Sequence, residues 1–180
     1  MRNSAGFSGE NLTLVDIAYY YLDSEQALRA YFTGTAESAD PELVGYAPND
    51  VFDIRVKELD LSAVLTILAA IEAALRLDYL ERATNRKPKG PLTERFREIH
   101  KLKQHRASLE DDILDAWRDH GAADSTLIEN LKGALKYRHW LAHGRYWIPK
   151  LGRKYDYRGI YTLADEFFAT LPLMSPNSPS

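Results

Sequence analysis

The chain has 180 residues, 45% of them apolar and 27% charged, with a net charge of −3 and no cysteine. This length and balance suit one globular domain with a sizeable core and exclude an intrinsically disordered chain. The absence of cysteine excludes disulfides, thiolate zinc sites and cysteine nucleophiles, and fits a cytoplasmic protein.

Met1 to Asn11 lacks the apolar core that a signal peptide needs. Leu14, Ile17, Ala18, Tyr21, Leu22 and Leu28 recur at helical spacing and predict a first helix from about Thr13 to Phe32, with Gly34 as its stop. Ala36 to Asp53 holds Pro41, Gly45, Pro48 and Asn49-Asp50 and reads as a loop. Leu61, Val64, Leu65, Leu68, Ile71, Leu75 and Tyr79 then form a broad apolar face, predicting a central helix over about Leu61 to Ala83. Its greasiest part, Ala63 to Leu75, is broken by Thr66 and Glu72 and is too short to cross a bilayer, so no membrane partner is expected. Lys87-Pro88-Lys89-Gly90-Pro91 ends this helix.

A third helical segment is expected over Leu92 to His105. A fourth covers Leu109 to His120, with Ser108 and Asp111 spaced as a capping box and Gly121 as its end. A fifth runs from Asp124-Ser125 to Gly144. Arg145 to Gly159 reads as an aromatic, basic loop, and a last helix over Leu163 to Leu171 starts from Thr162 with Asp165 three residues on. Leu171 to Ser180, rich in proline and serine, reads as a flexible tail. No segment alternates as a strand does. The expected architecture is all-α: one antiparallel helical bundle of five to six helices over residues 1–170, followed by a tail over 171–180.

Charge is unevenly spread. Lys132 to Arg158 carries eight basic residues and one acid, a net +7, against fifteen basic and twenty-five acidic residues, a net −10, in the remainder. A basic patch on an acidic chain points to a polyanionic ligand at that patch, with a solvated charged surface as the plainer reading. Within it stands Tyr137-Arg138-His139-Trp140-Leu141-Ala142-His143-Gly144-Arg145-Tyr146-Trp147. Arginine grips phosphate with a planar, permanently charged fork. Histidine moves protons near neutral pH.

Arg138 and His143 lie about 140° apart around a helix and do not share a face, whereas His139 and His143, four apart, do. A joint site therefore needs a loosened helix end with a reaching arginine, or a two-fold dimer that places Arg138 of one protomer near His143 of the other. A structural reading stands beside these: a basic side chain at a helix end complements the helix dipole. His139 and His143 also have the spacing of helical zinc ligands, but no third ligand is evident, so no metal is expected.

Arg138-polar-x-x-x-His143 near the end of a late bundle helix resembles the Arg-x(4–6)-His motif of HEPN domains, small all-α proteins of which many are metal-independent ribonucleases of prokaryotic toxin–antitoxin and antiphage systems. Glu72, the lone acid of the apolar helix, stands where that family often keeps an acid near its site. It also stands four residues before Arg76, a spacing that suits a plain ion pair.

The resemblance implies cleavage by the substrate's own 2′-hydroxyl with no cofactor. His143 would be general base or would protonate the leaving oxygen, Arg138 would bind phosphate, His139 would assist, and Glu72 would orient Arg138. It also implies RNA as substrate, a homodimer with composite sites, and a nucleotidyltransferase-type antitoxin as partner. Toxins under that control carry tyrosine two residues after the motif histidine. Here that position is Arg145, and Tyr146 follows.

Arg145, Tyr146, Lys150, Arg153 and Lys154 are the expected RNA contacts, since single strands are held by stacked rings and cationic side chains. The competing function is a non-catalytic dimeric module of the same fold that binds RNA, a nucleotide or a partner protein.

Overall fold

A computed structural model describes residues 12–33, 48–86 and 89–174. The expectations for Gly34, for most of the 36–53 loop and for the 87–88 part of the stop signal lie outside these residues. So do residues 1–11 and 175–180. Six α-helices follow in order: α1 Leu14–Thr33, α2 Pro48–Thr84, α3 Pro91–Lys103, α4 Asp115–His120, α5 Ser125–Ala142 and α6 Tyr157–Thr170. A 3₁₀ turn at Gln104–Arg106 and a π-helical turn at Leu109–Leu114 join α3 to α4. There is no strand among the described residues, and the bundle is all-α as expected.

The middle of α2 is the core of the bundle. Ile67, Leu68, Ile71 and Leu75 are fully buried, against Phe96 of α3, Ile113 and Leu114 of the π turn, Ile128 and Leu131 of α5, and Ile160 and Phe167 of α6. The contacts fix the helix directions. Glu72 meets Arg138 and Glu58 meets Arg145, so α5 runs antiparallel to α2. Tyr157 stacks on Tyr21 beside Asp60, while Pro172 meets Arg82, so α6 runs parallel to α2. α1 lies antiparallel along the N-terminal half of α2 and buries only Ile17 fully.

Two helices begin earlier than their hydrophobic pattern suggests. α2 starts at Pro48, thirteen residues before Leu61, and spans about 55 Å at 1.5 Å per residue. Proline fits the first helical position because the N–H it lacks is unpaired there anyway, so a turn-like Pro-Asn-Asp opens a helix. Val51 is buried and Phe52, Val56 and Leu59 are half-buried, which supplies the reason for the extension.

α6 starts at Tyr157, capped by Asp156, which accepts from the Gly159 N–H at 2.7 Å. Thr162 is no cap: its hydroxyl donates to the Arg158 carbonyl inside the helix at 3.0 Å. Tyr157, Arg158 and Gly159 therefore belong to α6 and not to the loop. The other caps match their spacing. Thr13 and Asp16 cap each other's backbone N–H at 3.1 and 3.0 Å. Ser108 accepts from the Asp111 N–H at 3.2 Å, and Asp124 from Thr126 and Leu127 at 2.7 and 3.1 Å.

Three residues expected in the tail make contacts with the bundle. Leu171 is buried, the Pro172 carbonyl accepts from Arg82 at 2.6 Å, and the Met174 N–H donates to Asp78 at 2.8 Å. Asp78 is fully buried and paired with Arg82. Burial raises its pKa above the usual carboxylate value, against the opposing pull of the Met174 N–H and Arg82.

A carboxyl whose pKa is higher folded than unfolded stabilises the fold most below its unfolded value, and that contribution is lost as pH rises through the raised value. Urea denaturation across that range should show wild-type stability falling with pH relative to Asp78→Asn. Parallel curves would contradict this.

Candidate active site

The motif sits at a built helix end. Asp124 caps the start of α5, and His143 closes its end, the His143 N–H donating to the His139 carbonyl at 3.2 Å. Gly144 then takes the left-handed conformation at φ 79°, and the Arg145 N–H reaches back to the Trp140 carbonyl at 3.3 Å. This is the six-residue closure in which glycine turns the chain out of a helix. Arg145 is also left-handed, at φ 57°, which costs a side-chain-bearing residue about 1–2 kcal/mol. Both ends of its guanidinium are held by Glu58 of α2 at 2.9 Å. Arg145 in turn holds the Glu58 carboxyl below its usual pKa.

Arg138 points to α2. Its Nη1 lies 3.0 Å from Glu72, whose other oxygen accepts from Arg76 Nε at 2.8 Å. Arg76 also donates to the Ala107 carbonyl at 3.3 Å, which fixes the far side of the cluster. One carboxylate thus sits between two guanidinium groups, and both readings of Glu72, partner of Arg76 and partner of Arg138, hold together. The Glu72 side chain is 19% exposed and that of Arg138 33%. Arg138 Nε is buried without a partner among the described residues, so this arginine is only partly satisfied by the fold.

The histidines face elsewhere. His139 and His143 are exposed, with ring centroids 4.2 Å apart, and His139 lies 6.1 Å from the Trp147 ring. Among the described residues neither imidazole makes a hydrogen bond or ion pair. The chain therefore joins Arg138 to Glu72 and His139 to His143, and no bond among the described residues joins the two groups. Among the described residues, no cluster of three or more acidic or histidine side chains could hold a metal ion.

The loop after the motif is docked on α5. Trp140 Nε1 donates to the Trp147 carbonyl at 2.7 Å. Tyr155 stacks on Tyr137 at 5.2 Å, and Tyr137 on Trp140 at 5.5 Å. The Tyr155 hydroxyl lies over Gly133, where a β-carbon would collide with it. Arg153 donates to Asn130 at 3.1 Å and lies over the Tyr155 ring at 4.8 Å.

Of the five expected RNA contacts, Arg145 is committed to Glu58, and Arg153 to Asn130 and Tyr155. Tyr146, Lys150 and Lys154 are exposed, Tyr146 at 85%. Trp147, half-buried, packs edge-on to Tyr146 at 4.6 Å.

The sequence reading did not reach Glu58, Asn130 or Glu110. Glu58 and Glu72 are fourteen residues apart, about 40° around one helix, so a continuous α2 would have placed both on one face. Glu110 lines a cleft of about 320 Å³ together with His139, Trp140, Trp147 and Lys150.

Glu72→Ala strands two guanidinium groups, one with a buried nitrogen. It should cost about 1–3 kcal/mol in chemical denaturation, the range for a buried polar group losing its partner. Gly144→Ala has space for its β-carbon but the wrong backbone, and should cost about 1–2 kcal/mol. A loss near zero in either variant would contradict these assignments.

No protein-family model matches the chain, and no curated protein or solved structure shows significant similarity to it.

Proposed function

We propose that the protein is an endoribonuclease that needs no metal, acts as a homodimer and serves as a toxin or antiphage effector. One observation carries this reading: Arg138 is oriented by Glu72 while, on the same helix end, His139 and His143 present bare imidazoles to solvent. The exposed Tyr146 and the cations Lys150 and Lys154 flank them on a docked loop. Rings and cations of this kind hold unpaired RNA.

The chemistry follows from the groups present. The substrate's 2′-hydroxyl attacks the adjacent phosphorus and gives its proton to an imidazole, with His143 the better placed because it ends the helix. The 5′-oxygen leaves and takes up a proton, giving a 2′,3′-cyclic phosphate and a 5′-hydroxyl. Arg138, held by Glu72 through Nη1, supplies charge to the pentavalent phosphorane. His139, 4.2 Å from His143, donates to the phosphate or to the second imidazole. Because Arg138 and His143 sit about 140° apart on α5, a two-fold partner completes each site. A toxin of this kind needs a separate inhibitory partner, and an antitoxin such as a nucleotidyltransferase would cover the exposed Tyr146 and the rim beside Trp147.

The second reading is a binding module. It is favoured by the pairing of Arg138 with Glu72, since a charge already partly neutralised suits holding RNA as well as cleaving it.

Incubation with total RNA in excess EDTA should yield discrete fragments ending in 2′,3′-cyclic phosphate. Arg138→Ala and His143→Ala should each lower the rate at least about 100-fold, the usual scale for a general acid–base group. Retention of RNA with no fragments would select the binding module.

A further inference from the structure

The cleft beside the histidines has a lining that phosphate binding does not explain. Its volume is about 320 Å³, at the small end of ligand sites. Trp140 and Trp147 contribute rings and Lys136 and Lys150 contribute cations, which suits a nucleotide. Glu110 is the exception. It is half-buried at the start of the π-helical turn and shares the cleft with two lysines. Among the described residues it pairs with neither of them, nor with any other donor. A free carboxylate repels a phosphate, so its place in a polyanion site needs another purpose. An ionised carboxylate only accepts hydrogen bonds. A base edge that only donates at two neighbouring atoms is its match.

We infer that this cleft takes one unpaired base of the substrate and that Glu110 selects guanine. Guanine offers N1–H and N2–H side by side, which fit the two oxygens of a carboxylate. Cytosine and adenine offer one amino group next to a ring-nitrogen acceptor, and uracil one N–H between two carbonyls. Trp147 supplies a stacking surface, and His139 on the rim places the base next to the scissile phosphate. Trp140 holds the backbone of Trp147 and so fixes that wall. The π-helical turn, a local widening often found at functional sites, sets the position of Glu110.

The inference rests on the RNA reading above, so its test reads binding without turnover. Full-length protein in EDTA is titrated with the 5′-monophosphates of guanosine, adenosine, cytidine and uridine, following tryptophan fluorescence. The guanosine nucleotide should bind about tenfold or more tighter than the uridine one, the scale of a bidentate base contact. Glu110→Gln should lose about tenfold for guanosine and leave uridine unchanged. Trp147→Ala should weaken all four, with thermal unfolding as the control for folding.

Equal affinities, no binding by any nucleotide, or an unchanged Glu110→Gln would overturn the inference. A guanine preference in a protein that cleaves no RNA would remove the nuclease and keep the pocket. Cleavage without base preference would do the reverse.

Discussion

The site depends on one ion pair, Glu72 with Arg138, across the contact of α2 and α5. It fixes the rotation of α5 about its own axis. With Arg138 turned toward α2, helical geometry leaves His139 about 100° away and His143 about 140° away, both on the solvent side. Arg145 with Glu58 is a second pair, between the turn that closes α5 and α2, seven residues further along the chain from Arg138 and fourteen back along α2. The Arg145–Glu58 pair is exposed, and exposed pairs contribute about 1 kcal/mol or less, while Glu72 and Arg138 are half-buried and lose more when parted. Their role is register. The apolar core of Ile67, Ile71, Ile128 and Leu131 supplies the stability, and it would tolerate small slippage between helices far better than two aligned charge pairs do.

Rigidity continues from the helix into the loop. The Gly144 turn, the Trp140 contact to the Trp147 carbonyl and the stack of Trp140, Tyr137 and Tyr155 make residues 145–156 a fixed rim of the site. Functional groups carried on rigid elements lose little entropy on meeting a ligand. The aromatic residues therefore divide their work: Tyr137 and Tyr155 hold the loop down, while Tyr146 and Trp147 stay at the surface beside the cleft.

Much of this was legible in the sequence, and the misses have physical causes. The apolar spacing from Leu61 to Tyr79, the Ser108 capping box and the starts near Thr13 and Asp124 marked helices where the structure has them. The starts of α2 and α6 were hidden, because Pro48-Asn49-Asp50 and Asp156 read as turn residues and tolerate the first turn of a helix equally well. Arg138, His139 and His143 could be singled out by chemistry and spacing. Glu72 could be named beside Arg138, but the residues that hold the flanking loop and line the cleft could not. Glu58, Asn130 and Glu110 come close to the motif only through helix packing, which carries no local signature. The four cations expected to contact RNA look alike in the sequence, yet Arg145 and Arg153 are spent on internal contacts and Lys150 and Lys154 are not.

The central claim is that catalysis joins Arg138 and His143 from two protomers. Its most direct test is subunit mixing. Arg138→Ala and His143→Ala proteins, each inactive alone, are unfolded together, refolded together and assayed on RNA in EDTA. In a composite site, each mixed dimer regains one intact site, and an equal mixture should recover about a quarter of wild-type activity. Mixed dimers that form yet cleave no RNA would contradict the account.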